Sequence, residues 1–229
     1  MTTTKDFING LSSKLGRPTP TKAPTPVEIS VPQYRLSNTE ERVSIFLQNW
    51  HALGGKGAIV RSENDLLQSL QEWFRDQPIN WIKENKLALL AWDMLPTIAE
   101  SAFSSLNWPL TRYTQSSLNI RDRYSIAAQA ELGVTGSDWG IALSGTIVMN
   151  SNPLRGRAIS LLPPRHLAFI EAAKIRNNLF EVLHEVSALG TPPAAIEMIS
   201  GPSRTSDIEM DLSIGVHGPI EVYVVVIQD

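Results

Sequence analysis

The sequence predicts an α/β fold, a mostly parallel sheet flanked by helices, with a short helix on a proline-rich linker ahead of it. Three observations carry this. Segments with apolar residues at helical spacing alternate with short apolar runs of strand length, the pattern of a parallel sheet layered with helices. The last of these runs, 222–227, is apolar throughout and places the end of the chain inside the core sheet. Hydrophobic residues make up 42% of the chain against 19% charged, enough apolar surface to offset chain entropy in a folded core.

In order, Phe7, Leu11 and Leu15 recur every four residues before Gly16, a short amphipathic helix suited to docking. Five prolines between 17 and 32 then form an extended linker, so 1–34 stands apart from a body at 35–229. The body opens with Ser37 and Glu40 spaced as a capping box. Val43, Phe46, Leu47, Trp50 and Leu53 follow on one helical face, stopped by Gly54 and Gly55. Residues 57–60 form a buried strand, Ser62 caps a helix carrying Leu66, Leu67, Leu70, Trp73 and Phe74, and 87–92 form a second strand. Further on, 121–132 read as helix, and 140–150 and 158–162 as strands of a hairpin turning at Asn152 and Pro153. Residues 171–187 read as one long helix, 195–199 as a strand and 208–212 as a helical turn.

Composition excludes several functions. Basic and acidic residues, 20 and 23, are interspersed with no basic stripe, which argues against nucleic acid. Without cysteine the chain has no disulfide, thiol nucleophile or iron–sulfur cluster of its own. No run approaches the roughly 18 apolar residues of a membrane span, and 1–10 lacks the apolar core of a signal peptide, so the cytoplasm is the expected location. The four histidines are too scattered for a zinc site, and hydrolase, Walker and dinucleotide fingerprints are missing.

Four turn-rich segments border the apolar strands of the second half: 133–138, 144–146, 155–157 and 201–207. In open α/β sheets such loops bind ligands, because glycine lets backbone N–H groups approach an anion and hydroxyls add donors. Each alone reads as an ordinary turn; together they offer a ligand site as the alternative. Between 199 and 219, Asp207 and Asp211 stand four apart, with Glu209 between them. They would share a helix side as an acid/base pair or cation ligands, or Asp207 would simply cap the helix. His217, just before the last strand, would shuttle a proton or bond only to backbone, and His166 reads as structural.

GVTGSDWGIALSGTIVM at 133–149, RGRAISLLPPRH at 155–166 and ISGPSRTSDIEMDLSIGVHGP at 199–219 resemble the successive signatures of LUD-domain proteins. FINGLSSKLGRP at 7–18 resembles the opening of the lactate utilisation protein C group of that family, and Ser144 keeps the hydroxyl of the threonine familiar there. The resemblance implies a LUD domain over 35–229 with a fold similar to the NagB/RpiA/CoA-transferase group. It implies a bacterial protein active in oxidation of L-lactate to pyruvate, as an accessory or ligand-binding subunit beside iron–sulfur proteins of the same operon. The clusters would sit on those partners, and no cofactor or metal on this chain. It marks Thr135, Asp138, Thr146, Arg157, Ser203 and Arg204 as ligand-binding and Asp207, Glu209 and His217 as catalytic candidates. Arg157 and Arg204 would pair with the carboxylate of lactate or pyruvate, as guanidinium forks do well. The alternative is a free-standing enzyme on a phosphosugar or acyl-CoA, with Glu209 as nucleophile.

Overall fold

The structure of the protein, a computed structural model, describes residues 3–16, 36, 38–75, 89–113, 120–206, 212–214 and 218–228, without the side chains of 120–122, 205–206 and 212–214. Ser37, Asp207, Glu209, Asp211 and His217 lie outside the described residues. By its contacts the chain divides into 1–33 and 34–229. In the first unit, helix α1, Thr4–Lys14, opens with a complete capping box. The Thr3 hydroxyl accepts from Asp6 N at 3.2 Å and the Asp6 carboxylate accepts from Thr3 N at 3.0 Å. Its apolar residues Phe7, Ile8 and Leu11, with Leu15 just beyond it, are all exposed.

The second unit runs α2, Thr39–Ala52; β1, Lys56–Val60; α3, Glu63–Trp73; β2, Leu89–Ala91; α4, Thr97–Ser105; β3, Leu110–Arg112; α5, Ile120–Gln129; β4, Leu132–Gly136; β5, Trp139–Ile141; β6, Thr146–Ser151; α6, Ala158–Leu161; β7, Arg165–Glu171; β8, Ile175–Arg176; α7, Leu179–Ser187; β9, Ala195–Ile199; β10, Arg204–Ser206; β11, Leu212–Ile214; and β12, Glu221–Ile227. Six strands form a wholly parallel sheet in the order β1-β12-β7-β4-β2-β3. Its inner strands are covered on both faces, which is why 222–227 is apolar without alternation. Val222, Val224 and Val226 join the core cluster of Phe46 and Trp50 from α2, whereas Tyr223 and Val225 join Leu66 and Leu70 of α3 and Phe103 of α4. A second sheet, β8-β5-β6-β9, sends Ile147 and Met149 into the first cluster.

Several expectations hold, including the caps at Ser62 and the strands at 57–60 and 195–199, and several are corrected. Asn38, not Ser37, caps α2, its side-chain oxygen accepting from Glu41 N at 2.8 Å. The hairpin turns inside 140–150, at Gly145, whose φ of +55° favours glycine and where a Cβ would stand 2.4 Å from Trp50 N. Residues 158–162 form helix α6 rather than a strand, because a short apolar run does not by itself distinguish the two and here it packs flat on β4. The long helix over 171–187 divides into the end of β7, a 3-10 turn at Ala172–Lys174, β8, and α7 capped by Asn178. Pairing of Ile175 and Arg176 with Gly140 and Ile141 of β5 overrides the helical propensity of the segment and confines Ala172, Ala173 and Lys174 to a single 3-10 turn. Of the helical turn expected at 208–212, residues 208–211 lie outside the described residues, and Leu212 belongs to strand β11, paired antiparallel with β10 and opposite Ser206.

The contact of α6 with β4 is testable. A Cβ on Gly133 would lie 1.8 Å from the carbonyl oxygen of Ile159, which cannot yield as a side-chain tip can. Gly133→Ala is expected to destabilise the protein by at least about 2 kcal/mol in urea unfolding, whereas Gly190→Ala, with nothing within 4 Å, stays near the parent value.

Candidate functional site

The carboxyl ends of the six parallel strands lie along one edge of the large sheet. Within this sheet the chain passes from β2 to its neighbour on one side, β3, and from β4, by way of β5 and β6 of the second sheet, to its neighbour on the other side, β7, so the connections part in opposite directions. Ligands of open α/β sheets bind at such a divergence. A crevice of about 230 Å³ lies there, lined by Trp92, Met94 and Pro96 after β2, Ser137 and Asp138 after β4, Glu171 and Lys174 at the end of β7, and Arg155.

Asp138 organises this crevice. Its N–H donates to Val148 O at 2.9 Å, one carboxylate oxygen accepts from Asn150 N at 2.7 Å, and the other pairs with Arg155 Nη1 at 2.7 Å. The Arg155 guanidinium carbon stands 5.2 Å from the Trp92 ring centroid, and Trp92 Nε1 donates to Gly156 O at 3.3 Å. Arg112, from β3, donates to Trp92 O at 2.9 Å and pairs with Glu100 at 2.6 Å, holding the loop after β2 from behind. The guanidinium is thus fixed by a carboxylate at one edge and an indole beneath, while among the described residues its only hydrogen-bond partner is Asp138. Lys174 and Glu171, paired at 2.9 Å, form a second ionic pair on the rim.

A different polar group lies between the sheets. His166 of β7 has no exposed surface, and its Nε2 is 2.9 Å from the Thr135 hydroxyl, which also donates to Met149 Sδ at 3.4 Å. The Thr135 hydroxyl has one hydrogen for His166 Nε2 and Met149 Sδ together, and among the described residues His166 Nδ1 has no hydrogen-bond partner. Burial lowers the pKa of His166 to about 3. Nearby in the fold, Ser160 Oγ of α6 donates to Arg157 O at 2.9 Å and to Glu197 of β9 at 3.2 Å.

The residues marked in the sequence therefore separate. Asp138 is in the crevice, Thr135 is buried against His166, and Arg157 is exposed at the start of α6. Thr146 is in a chain of hydroxyls, 2.7 Å from both Ser144 Oγ and Ser200 Oγ, beside an apolar hollow of about 360 Å³ that includes Phe180 and Met198. Ser203 N donates to Pro219 O at 3.0 Å, and the Arg204 guanidinium donates to the Leu53 carbonyl at the end of α2. Among the described residues no cluster of His, Asp or Glu is placed to hold a metal, and no helix is long and apolar enough to cross a membrane.

The sequence profile of the LUD domain matches residues 43–227. The chain belongs to the LUD domain family. It is 30% identical to lactate utilization protein C of Shouchella clausii over 232 residues, 97% of this chain and 96% of that one. Lactate utilization protein C 1 of Bacillus mycoides is 29% identical over 98% of this chain and 97% of its own. Lactate utilization protein C of Halalkalibacterium halodurans is 42% identical over 107 residues, about half of either chain. A crystal structure of a DUF162 family protein from Deinococcus radiodurans shares the fold, with a TM-score of 0.57 at 18% identity, covering 83% of this chain and 98% of that one.

In this LUD-domain protein the sequence reading passed over Trp92 and Arg155. Arg155 stood in a marked turn beside Arg157 and Trp92 directly after an apolar run, so both carried a local signal. His166 is structural as read, but in a central strand. Below about pH 6.5 the unfolded imidazole takes a proton that the folded one refuses, so stability falls with pH down to about 3. At pH 5 the loss from this group is about 2 kcal/mol, measurable as a urea midpoint that drops on acidification in the wild type and drops less in His166→Gln.

Proposed function

We propose that this LUD-domain protein serves L-lactate utilisation as a subunit that binds a small carboxylate in the crevice at the strand ends, and that it acts in the cytoplasm. The observation that carries the reading is Arg155, held by Asp138 and Trp92 with its remaining donors free for a ligand carboxylate. The crevice volume of about 230 Å³ suits a three-carbon acid and falls below the roughly 300–1,000 Å³ typical of sites for larger ligands. The relatives named for lactate utilisation along nearly the whole chain support the same direction.

Oxidising lactate removes two electrons, and a chain without cysteine carries no iron–sulfur cluster to take them. We assign the electron acceptors to iron–sulfur proteins of the same operon, and α1, whose Phe7, Ile8 and Leu11 are exposed on a well-capped helix, to docking one of them.

Pyruvate titrated into the protein is expected to change intrinsic fluorescence through Trp92, a change that disappears in Trp92→Phe. Arg155→Met should weaken that response about 10- to 100-fold, the loss of charge-assisted bonds of about 1.5–3 kcal/mol. A host lacking the gene and complemented with Arg155→Met should grow poorly on L-lactate and normally on glucose. Unchanged pyruvate binding in Arg155→Met would overturn the reading.

A further inference from the structure

The groups that line the crevice at the strand ends divide into donors and acceptors. Arg155 and Lys174 are its cations, and Arg155 is the one fixed in place, by Asp138 at 2.7 Å and by the Trp92 ring, whose centroid is 5.2 Å from the guanidinium carbon. The wall that follows β4 is of the other kind. Ser137 N donates to Phe169 O at 2.8 Å, and the single hydrogen of Ser137 Oγ is shared between Trp139 O at 2.8 Å and Val148 O at 3.0 Å. Asp138 N donates to Val148 O at 2.9 Å, and its carboxylate only accepts. Ser137 lines the crevice with 8% of its surface exposed. With its N–H and its O–H both committed, it has only lone pairs to offer there.

A buried hydroxyl oxygen whose hydrogen is already taken accepts from a donor and repels a second acceptor. A 2-hydroxy acid and a 2-oxo acid bring the same carboxylate and nearly the same volume. They differ at C2, where one has an O–H to donate and the other only a carbonyl oxygen. Asp138, the residue after Ser137, holds Arg155, so the cation for the carboxylate and the lone pairs for the C2 hydroxyl come from neighbouring positions of one wall.

We propose that Ser137 Oγ accepts the C2 hydroxyl hydrogen of a 2-hydroxy acid whose carboxylate lies on Arg155, and that Ser137 is thereby the residue by which the crevice distinguishes L-lactate from pyruvate. The inference rests on the proposed function, since it takes the crevice as the carboxylate site. Glu171, a further acceptor on the rim, is met by Lys174 in a pair whose side chains are 57% and 43% exposed, where water competes for each bond, and it carries little of the preference. Such a crevice retains the reduced acid and releases the oxidised one more readily, which suits a site that presents lactate for oxidation.

Calorimetric titration with sodium L-lactate, sodium propionate and sodium pyruvate tests this. Wild-type protein should bind L-lactate at least about tenfold more tightly than pyruvate, the scale of one net hydrogen bond, with propionate, which has no oxygen at C2, between them. Ser137→Ala should bring the constants for L-lactate and pyruvate together. Ser137→Thr, which keeps the hydroxyl, should hold them apart, and Glu171→Gln should leave their ratio as in the wild type. A merely structural role for Ser137 would weaken both acids alike, so the ratio is the readout. If Ser137→Ala does not fold, the wild-type order decides, L-lactate above propionate above pyruvate supporting the inference and any other order overturning it. A ratio unchanged in folded Ser137→Ala, or lost in Glu171→Gln, overturns it as well, and weaker binding of both acids in Arg155→Met then leaves the proposed function standing. Undiminished binding of both acids in Arg155→Met, or a wild type that binds neither, overturns the proposed function and this inference together.

Discussion

The structure depends on a parallel pairing between distant parts of the chain. β12, the last strand, lies between β1 and β7, with Ala58 opposite Val225 and Ala168 opposite Val224. The large sheet is therefore incomplete until residues at both ends of the 34–229 unit have met. Such long-range pairing bears its loop-closure cost before any contact offsets it, and makes parallel sheets slow to assemble. In return, β12 buries side chains on both faces, and the loops at the carboxyl ends of β2, β4 and β7 stand on a rigid base. The crevice inherits its precision from that base, since Ser137 N extends the ladder to Phe169 O at 2.8 Å and Trp92 N extends it to Val134 O at 3.1 Å.

The polar groups inside the fold separate into those that are satisfied and those that are not. Ser137 donates to Trp139 O and Val148 O, and Glu221 is bonded by both Lys56 and Arg165, which together outweigh the opposing effect of burial and lower its pKa. Glu185 is likewise held low, chiefly by Arg176 and also by the Trp139 indole. These groups orient side chains and settle register. Among the described residues His166 Nδ1 is an exception, together with Asn150 Oδ1 and the Nε atoms of Arg42 and Arg123, and the His166 ring lies in the layer between the sheets, against Thr135 and Met149. An incompletely satisfied polar group in a packed interior costs stability.

How far the fold was legible follows from which signals are local. Capping at Ser62, the apolar face of α2 and the buried run of β12 are written in contiguous residues, and they were read correctly. The same sequence misled at 158–162 and 171–187, where the decision between helix and strand is made by a partner elsewhere: β4 for α6, and β5 for β8. The site was legible only by parts. Asp138 and the arginines around Gly156 lie in turns that announce themselves, whereas no spacing in the sequence indicates that Asp138 meets Arg155 or that Arg155 covers Trp92.

Gly156 shows why two arginines one residue apart reach different environments. Its Cα is pressed against Tyr113, where a Cβ would come within 2.3 Å of the ring, so the chain there passes close to the end of β3. Before that constriction Arg155 is drawn over Trp92 toward the strand ends; after it Arg157 already has helical angles, φ −64° and ψ −26°, and starts α6. A larger residue at 156 would displace both at once. The short RGR sequence is thus a branch point, one cation serving the crevice and the other exposed at the start of α6, and the glycine between them is favoured by the close approach of the Tyr113 ring rather than by backbone conformation.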